Sequence, residues 1–162
     1  MNTEKDSAKE EAQAQLDSIR AMVSALEVDY DRLEELRNIR KLPIKEWSEN
    51  GYDAEEYEEL EQSANDCESY DDAQQRIQED PLSVQIRSGW YSPGETPQPE
   101  EFEILLCTGG PAVRIRGELG QYNEPDRAWI EYQDWFTPWK EFHADHDSDA
   151  LLTYCRQFYF GE

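Results

Sequence analysis

The sequence predicts an α+β protein in which helices come first and a small antiparallel four-stranded sheet, closed by a C-terminal helix, follows. Three observations carry this. Apolar residues recur at helical spacing up to Pro81, the period changes to two beyond it, and the later segments are joined by short Gly- and Pro-containing connections. The chain therefore divides into a long amphipathic helix over 1-42, an acidic helical segment over 43-81 and an α+β unit over 82-162.

From Asp6 to about Ile39, the residues Leu16, Ile19, Val23, Leu26, Tyr30 and Leu33 fall alternately three and four apart, with Met22 and Leu36 widening the stripe. Neither Gly nor Pro interrupts this stretch, alanines support it and Pro43 stops it, so one continuous helix is expected. Its stripe needs a cover, either the rest of the chain or a second copy zipped along residues 16-36 as a coiled-coil homodimer. Asn50-Gly51 then marks a turn. Asp53 is placed to cap a helix with Tyr57, Leu60 and Ala64 inside and Glu55, Glu56, Glu58, Glu59 and Glu61 outside. A second short helix is expected from Asp71 to Glu79, ended by Pro81.

After Pro81, Val84 and Ile86 alternate with Gln85 and Arg87, Phe102, Ile104 and Leu106 with Glu103 and Leu105, and Val113 and Ile115 with Arg114 and Arg116. Trp129 to Trp135 is a fourth run, so four strands are expected. Their short links, among them Thr108-Gly109-Gly110-Pro111, imply an antiparallel meander. A last helix is expected from about Asp147 to Phe158, carrying Leu151, Leu152, Tyr154 and Cys155.

Charge narrows the function. The chain holds 38 acidic and 15 basic residues, a formal net charge of −23. Direct binding to nucleic acid is disfavoured and cationic partners are favoured, through steering that weakens as salt rises. Disorder does not follow from this charge, because 14 of the 19 aromatic residues lie after Pro81 and disordered acidic chains are aromatic-poor. Three widely spaced cysteines, no signal-like start and no run of roughly 18 apolar residues predict a reduced, cytoplasmic protein.

Catalytic patterns are weak, so no enzyme activity and no cofactor are expected. His143, Asp145, His146, Asp147 and Asp149 form the best metal-like group, and a metal-dependent hydrolase at His143, Asp145 and His146 is the third reading; Asp and Ser are also the usual caps at a strand-to-helix junction, and no HExxH-type spacing is present. Asp126, Glu131 and Gln133 echo a nuclease pattern without its lysine. Cys107 and Cys155 read as small buried hydrophobes, and Thr108-Gly109-Gly110-Pro111 as a tight turn lacking the GxxxxGK phosphate pattern. Trp129, Trp135, Phe136, Trp139 and Phe142, with Trp90 and Tyr91, exceed what one face of a small sheet needs, which leaves Tyr91 and Trp139 as candidate rim anchors for a protein partner.

The densest signal is the strip from Glu46 to Asp80, with fourteen carboxylates against Arg76 alone. It is either a solvated face or a functional one. Trp47, Tyr52, Tyr57, Leu60 and Tyr70 are interleaved as anchors, and side chains three and four apart on a helix stand about 5 to 6 Å apart, of the order of phosphates along one strand. In charge, size and lack of catalytic motifs the chain resembles the acidic DNA-mimic anti-defence proteins that phages and mobile elements deploy against restriction enzymes and CRISPR effectors. The block from Ser88-Gly89-Trp90-Tyr91 through Glu103-Ile104-Leu105-Leu106-Cys107 to Trp135-Phe136-Thr137-Pro138-Trp139 is also similar to phage and plasmid proteins, and implies no function.

The resemblance implies a non-enzymatic inhibitor that occupies the DNA site of a basic nucleic-acid-binding protein, such as a Cas effector or restriction complex, often as a dimer. The contact is expected at Glu55, Glu56, Glu58, Glu59, Glu61, Asp66, Glu68, Asp71 and Asp72. The alternative is a self-associating scaffold whose acids only solvate it.

Overall fold

The computed structural model describes residues 3-143 and 148-161. Five helices of more than one turn, α1 (Thr3–Leu26), α2 (Tyr30–Ile39), α3 (Ala54–Ala64), α4 (Tyr70–Glu79) and α5 (Ser148–Cys155), accompany five strands, β1 (Ser83–Ser88), β2 (Pro99–Cys107), β3 (Ala112–Leu119), β4 (Pro125–Gln133) and β5 (Lys140–Phe142). Two compact units result, one from Met1–Arg20 with Ile77–Glu162 and one from Ala21–Arg76. Their limits fall within α1 and α4.

The single helix expected from Asp6 to Ile39 is in fact two. Asp29 caps α2 by accepting a hydrogen bond from the backbone N–H of Arg32 at 3.0 Å, and the Tyr30 hydroxyl donates to the Ala25 carbonyl at 2.5 Å. A cap for the new helix and a partner for an orphaned carbonyl of the old one together make the break cheap. The apolar stripe continues across it, which is why periodicity alone runs the two together. Leu16, Ile19, Met22, Val23, Leu33 and Leu36 on this stripe are buried, and Leu26 and Tyr30 are partly buried.

In the sheet-bearing unit the strands form an antiparallel meander in the order β1-β2-β3-β4-β5. The expected count of four is corrected to five. β5 is three residues long and follows Pro138, too short to show an alternating pattern. Phe102, Ile104, Val113, Ile115, Ile130 and Phe142 are buried on one face of the sheet, and α5 packs against β4. Phe102 stacks on Phe160 with ring centroids 4.9 Å apart. Gly117 lies opposite Phe102 in the register because a Cβ there would overlap the Phe102 ring and the Arg127 carbonyl.

The other face of the sheet is an interlocked ladder of charges. Arg114 binds Glu131 at 2.7 Å and Glu103 at 3.5 Å, while Glu101 serves both Arg87 and Arg116. Arg87–Glu101 and Arg114–Glu131 are directly opposite, while Arg114–Glu103 and Arg116–Glu101 are diagonal pairs within reach of long side chains, so Arg and Glu across the strands neutralise the face locally.

Candidate functional site

The acidic strip folds into the unit Ala21–Arg76, where 17 acidic residues meet 6 basic ones for a net −11. Its framework begins with caps. Asp53 accepts from the backbone N–H groups of Glu55 and Glu56 at 3.0 and 3.2 Å, as its spacing predicts. α3 stops where Asn65 and Asp66 adopt left-handed backbone, with φ of 47° and 68°. α4 is opened by a reciprocal cap in which Ser69 Oγ accepts from the Asp72 N–H and the Asp72 carboxylate accepts from the Glu68 N–H.

Arginines from α2 then clamp α3. Arg32 makes a two-pronged contact with Glu56, Nε to Oε1 at 2.9 Å and Nη2 to Oε2 at 2.8 Å, and also donates to the Gly51 carbonyl and to Glu35. Arg37 donates to Glu61 at 2.8 Å. Both pairs join residues 24 apart in sequence, so α2 and α3 run in the same direction, and the connecting segment with its two short 3-10 turns carries the chain back. Arg40 lies over the Tyr57 ring at 4.3 Å and over Trp47 at 5.9 Å.

Electrostatics follow from these contacts. The Arg32 hydrogen bonds hold the Glu56 carboxyl below its ordinary value, and Arg37, helped by the Tyr57 hydroxyl, does the same for Glu61. In return the Arg32 and Arg37 guanidinium groups are held more firmly protonated, chiefly by their hydrogen bonds to Glu56 and Glu61. Burial first, then Glu61, raises Tyr57. Arg76 donates to the Asn65 carbonyl. Four of the unit's six cations are thereby turned onto its own framework.

The residues expected to form the contact are thus sorted by their surroundings. Glu56, Glu61 and Asp72 are engaged within the unit, whereas Glu55, Glu58, Glu59, Asp66, Glu68 and Asp71 are exposed. Glu55, Glu58 and Glu59 stand three and four apart on α3 and so share one outward face. The signal that separates the two groups lies in α2: the five-residue interval from Arg32 to Arg37 repeats from Glu56 to Glu61.

Tyr91 and Trp139 belong to the sheet-bearing unit. Tyr91 is exposed in the connection between β1 and β2, beside a fully exposed Trp90. Trp139 is half-buried, with the Arg114 guanidinium 4.0 Å above its ring. Trp135 and Phe136 are exposed in the turn before it.

His143 is exposed with Nδ1 3.9 Å from Glu141; Asp145, His146 and Asp147 lie outside the described residues. No group of three or more His, Cys, Asp or Glu is arranged to hold a metal among the described residues. Burial pushes the thiols of Cys67, Cys107 and Cys155 up, away from thiolate. An open cleft of about 470 Å³ is lined by Tyr122, Glu124, Pro125, Arg156, Phe158 and Tyr159. No described helix is long and apolar enough to cross a membrane.

Compared with known proteins, the chain matches no family model, no curated sequence and no solved structure.

Proposed function

We propose that the protein is a non-enzymatic inhibitor that presents ordered carboxylates in place of a nucleic-acid backbone and occupies the basic groove of a nucleic-acid-binding protein. The observation that carries this reading is the division of labour in the acidic unit. Arg32, Arg37 and Arg40 are consumed by internal clamps, while Glu55, Glu58 and Glu59 project from a capped helix with no ion pair to a cation among the described residues. A purely solvating strip has no need of such rigid support. Fixed spacing, by contrast, is what Lys and Arg pockets built for phosphates require.

The partner class is a cationic protein of a bacterial cytoplasm, and a restriction complex or Cas effector fits the chemistry. Its capture is accelerated by the long-range field of a −23 chain and weakened by salt. Glu55→Lys, Glu58→Lys and Glu59→Lys combined test the reading. The parent chain, immobilised at low salt, is expected to retain a basic nucleic-acid-binding protein from a bacterial lysate, and the triple variant to lose it with its circular dichroism unchanged. Equal retention by the two sinks the proposal.

A further inference from the structure

β1 is an edge strand whose core-facing side chains are left uncovered. Val84 lies opposite Ile104 and Ile86 opposite Phe102, so all four share one face of the sheet. Ile104 and Phe102 are 0% and 1% exposed, yet Val84 and Ile86 are 38% and 48% exposed, and the preceding Leu82 is 62% exposed. From Leu82 to Ile86 the edge carries no lysine, no proline and no inward-pointing charge, three of the devices that protect free edges.

We infer that β1 pairs antiparallel with β1 of a second copy of this chain, joining two five-stranded sheets into one. Charge and register select this occupant. Residues 81-94 contain no carboxylate and one cation, Arg87, which is already bound to Glu101. On a chain of −23, this is an edge at which two copies meet without apposing acids, and it offers a cationic partner nothing to pair with. A two-fold axis through Gln85 sets Val84 against Ile86 of the other copy twice, on the same face, and puts Arg87 opposite Ser83. No like charges are opposed. The pairing is bounded by Pro81 at one end and by the register shift between Arg87 and Ser88 at the other. Growth beyond two copies is stopped because the opposite edge, β5, has three residues and Lys140 at its start.

Sedimentation velocity of the full chain over rising concentration tests this, with Ile86→Lys as the variant. The parent is expected to move from monomer mass to twice that mass, and Ile86→Lys to stay monomeric with unchanged circular dichroism. Crosslinking fixes the register. Opposite residues in an antiparallel pair have Cα atoms about 4.5 to 5.5 Å apart, inside disulfide range. Gln85→Cys is therefore expected to give a covalent dimer on mild oxidation. Ser83→Cys, roughly 13 Å from its copy by strand rise, is expected to give none, with the parent's own cysteines as background. A monomer at every concentration, a dimer indifferent to Ile86→Lys, or crosslinking through Ser83→Cys in place of Gln85→Cys overturns the inference.

Discussion

Arg37 Nε donates to Glu61 Oε1 at 2.8 Å, and the Tyr57 hydroxyl donates to the same oxygen at 3.0 Å. The pair is partly exposed, so Glu61→Gln is expected to lower stability by about 0.5 to 1 kcal/mol at neutral pH. The arginine is the larger cause of the depressed carboxyl, whose ordinary value is 4.5. A depressed carboxylate contributes stability above its unfolded value and loses it as pH falls through the folded one. Urea midpoints of parent and variant should thus differ at pH 7 and converge progressively below pH 4.5. A gap that stays constant into acid would show that the clamp is not electrostatic.

Tyr154 is fully buried, and its hydroxyl donates to Asp80 Oδ2 at 2.6 Å. Removing the donor in Tyr154→Phe leaves that carboxylate short of a partner, at a cost of about 1 to 3 kcal/mol. Desolvation first, then Asp80, raises the Tyr154 pKa, so the associated stability is complete below the ordinary tyrosine value of 10.0 and is lost as pH rises beyond it. Alkaline titration followed by phenolate absorbance should show Tyr154 ionising only with unfolding. Reversible ionisation of all nine tyrosines in the folded chain would contradict this.

Gly117→Ala is expected to destabilise the sheet-bearing unit by about 1 to 3 kcal/mol, since one obstructing group is backbone and cannot move aside as a side chain does. Thermal denaturation measures it. Pairing Gly117→Ala with Phe102→Leu should recover part of the loss, because the ring is the other obstruction. No recovery would mean that the Arg127 carbonyl alone sets the cost.

Much of the architecture was legible in the sequence because strong periodic patterns met strong punctuation. Pro81 separates helices from strands, Asp53 caps α3 as its position implies, and β1 to β4 follow the alternating runs. The break between α1 and α2 was hidden because Val28 and Asp29 are not helix breakers by composition, and only the Asp29 cap and the Tyr30 hydroxyl reveal it. At the candidate site, helical spacing placed Glu55, Glu58 and Glu59 outward. It also placed Glu56 and Glu61 there, because a helical wheel does not show that long arginines from a neighbouring helix reach around to meet them.

The sharpest examination of the central claim is competition with DNA. A basic nucleic-acid-binding protein retained by the parent chain is titrated with duplex DNA of its preferred sequence, at about 50 mM and again at about 200 mM salt. Release in proportion to DNA, with at least about tenfold weaker retention at the higher salt, is expected of carboxylates that stand where phosphates would. A captured protein that binds DNA and this chain simultaneously, with neither displacing the other, would contradict it.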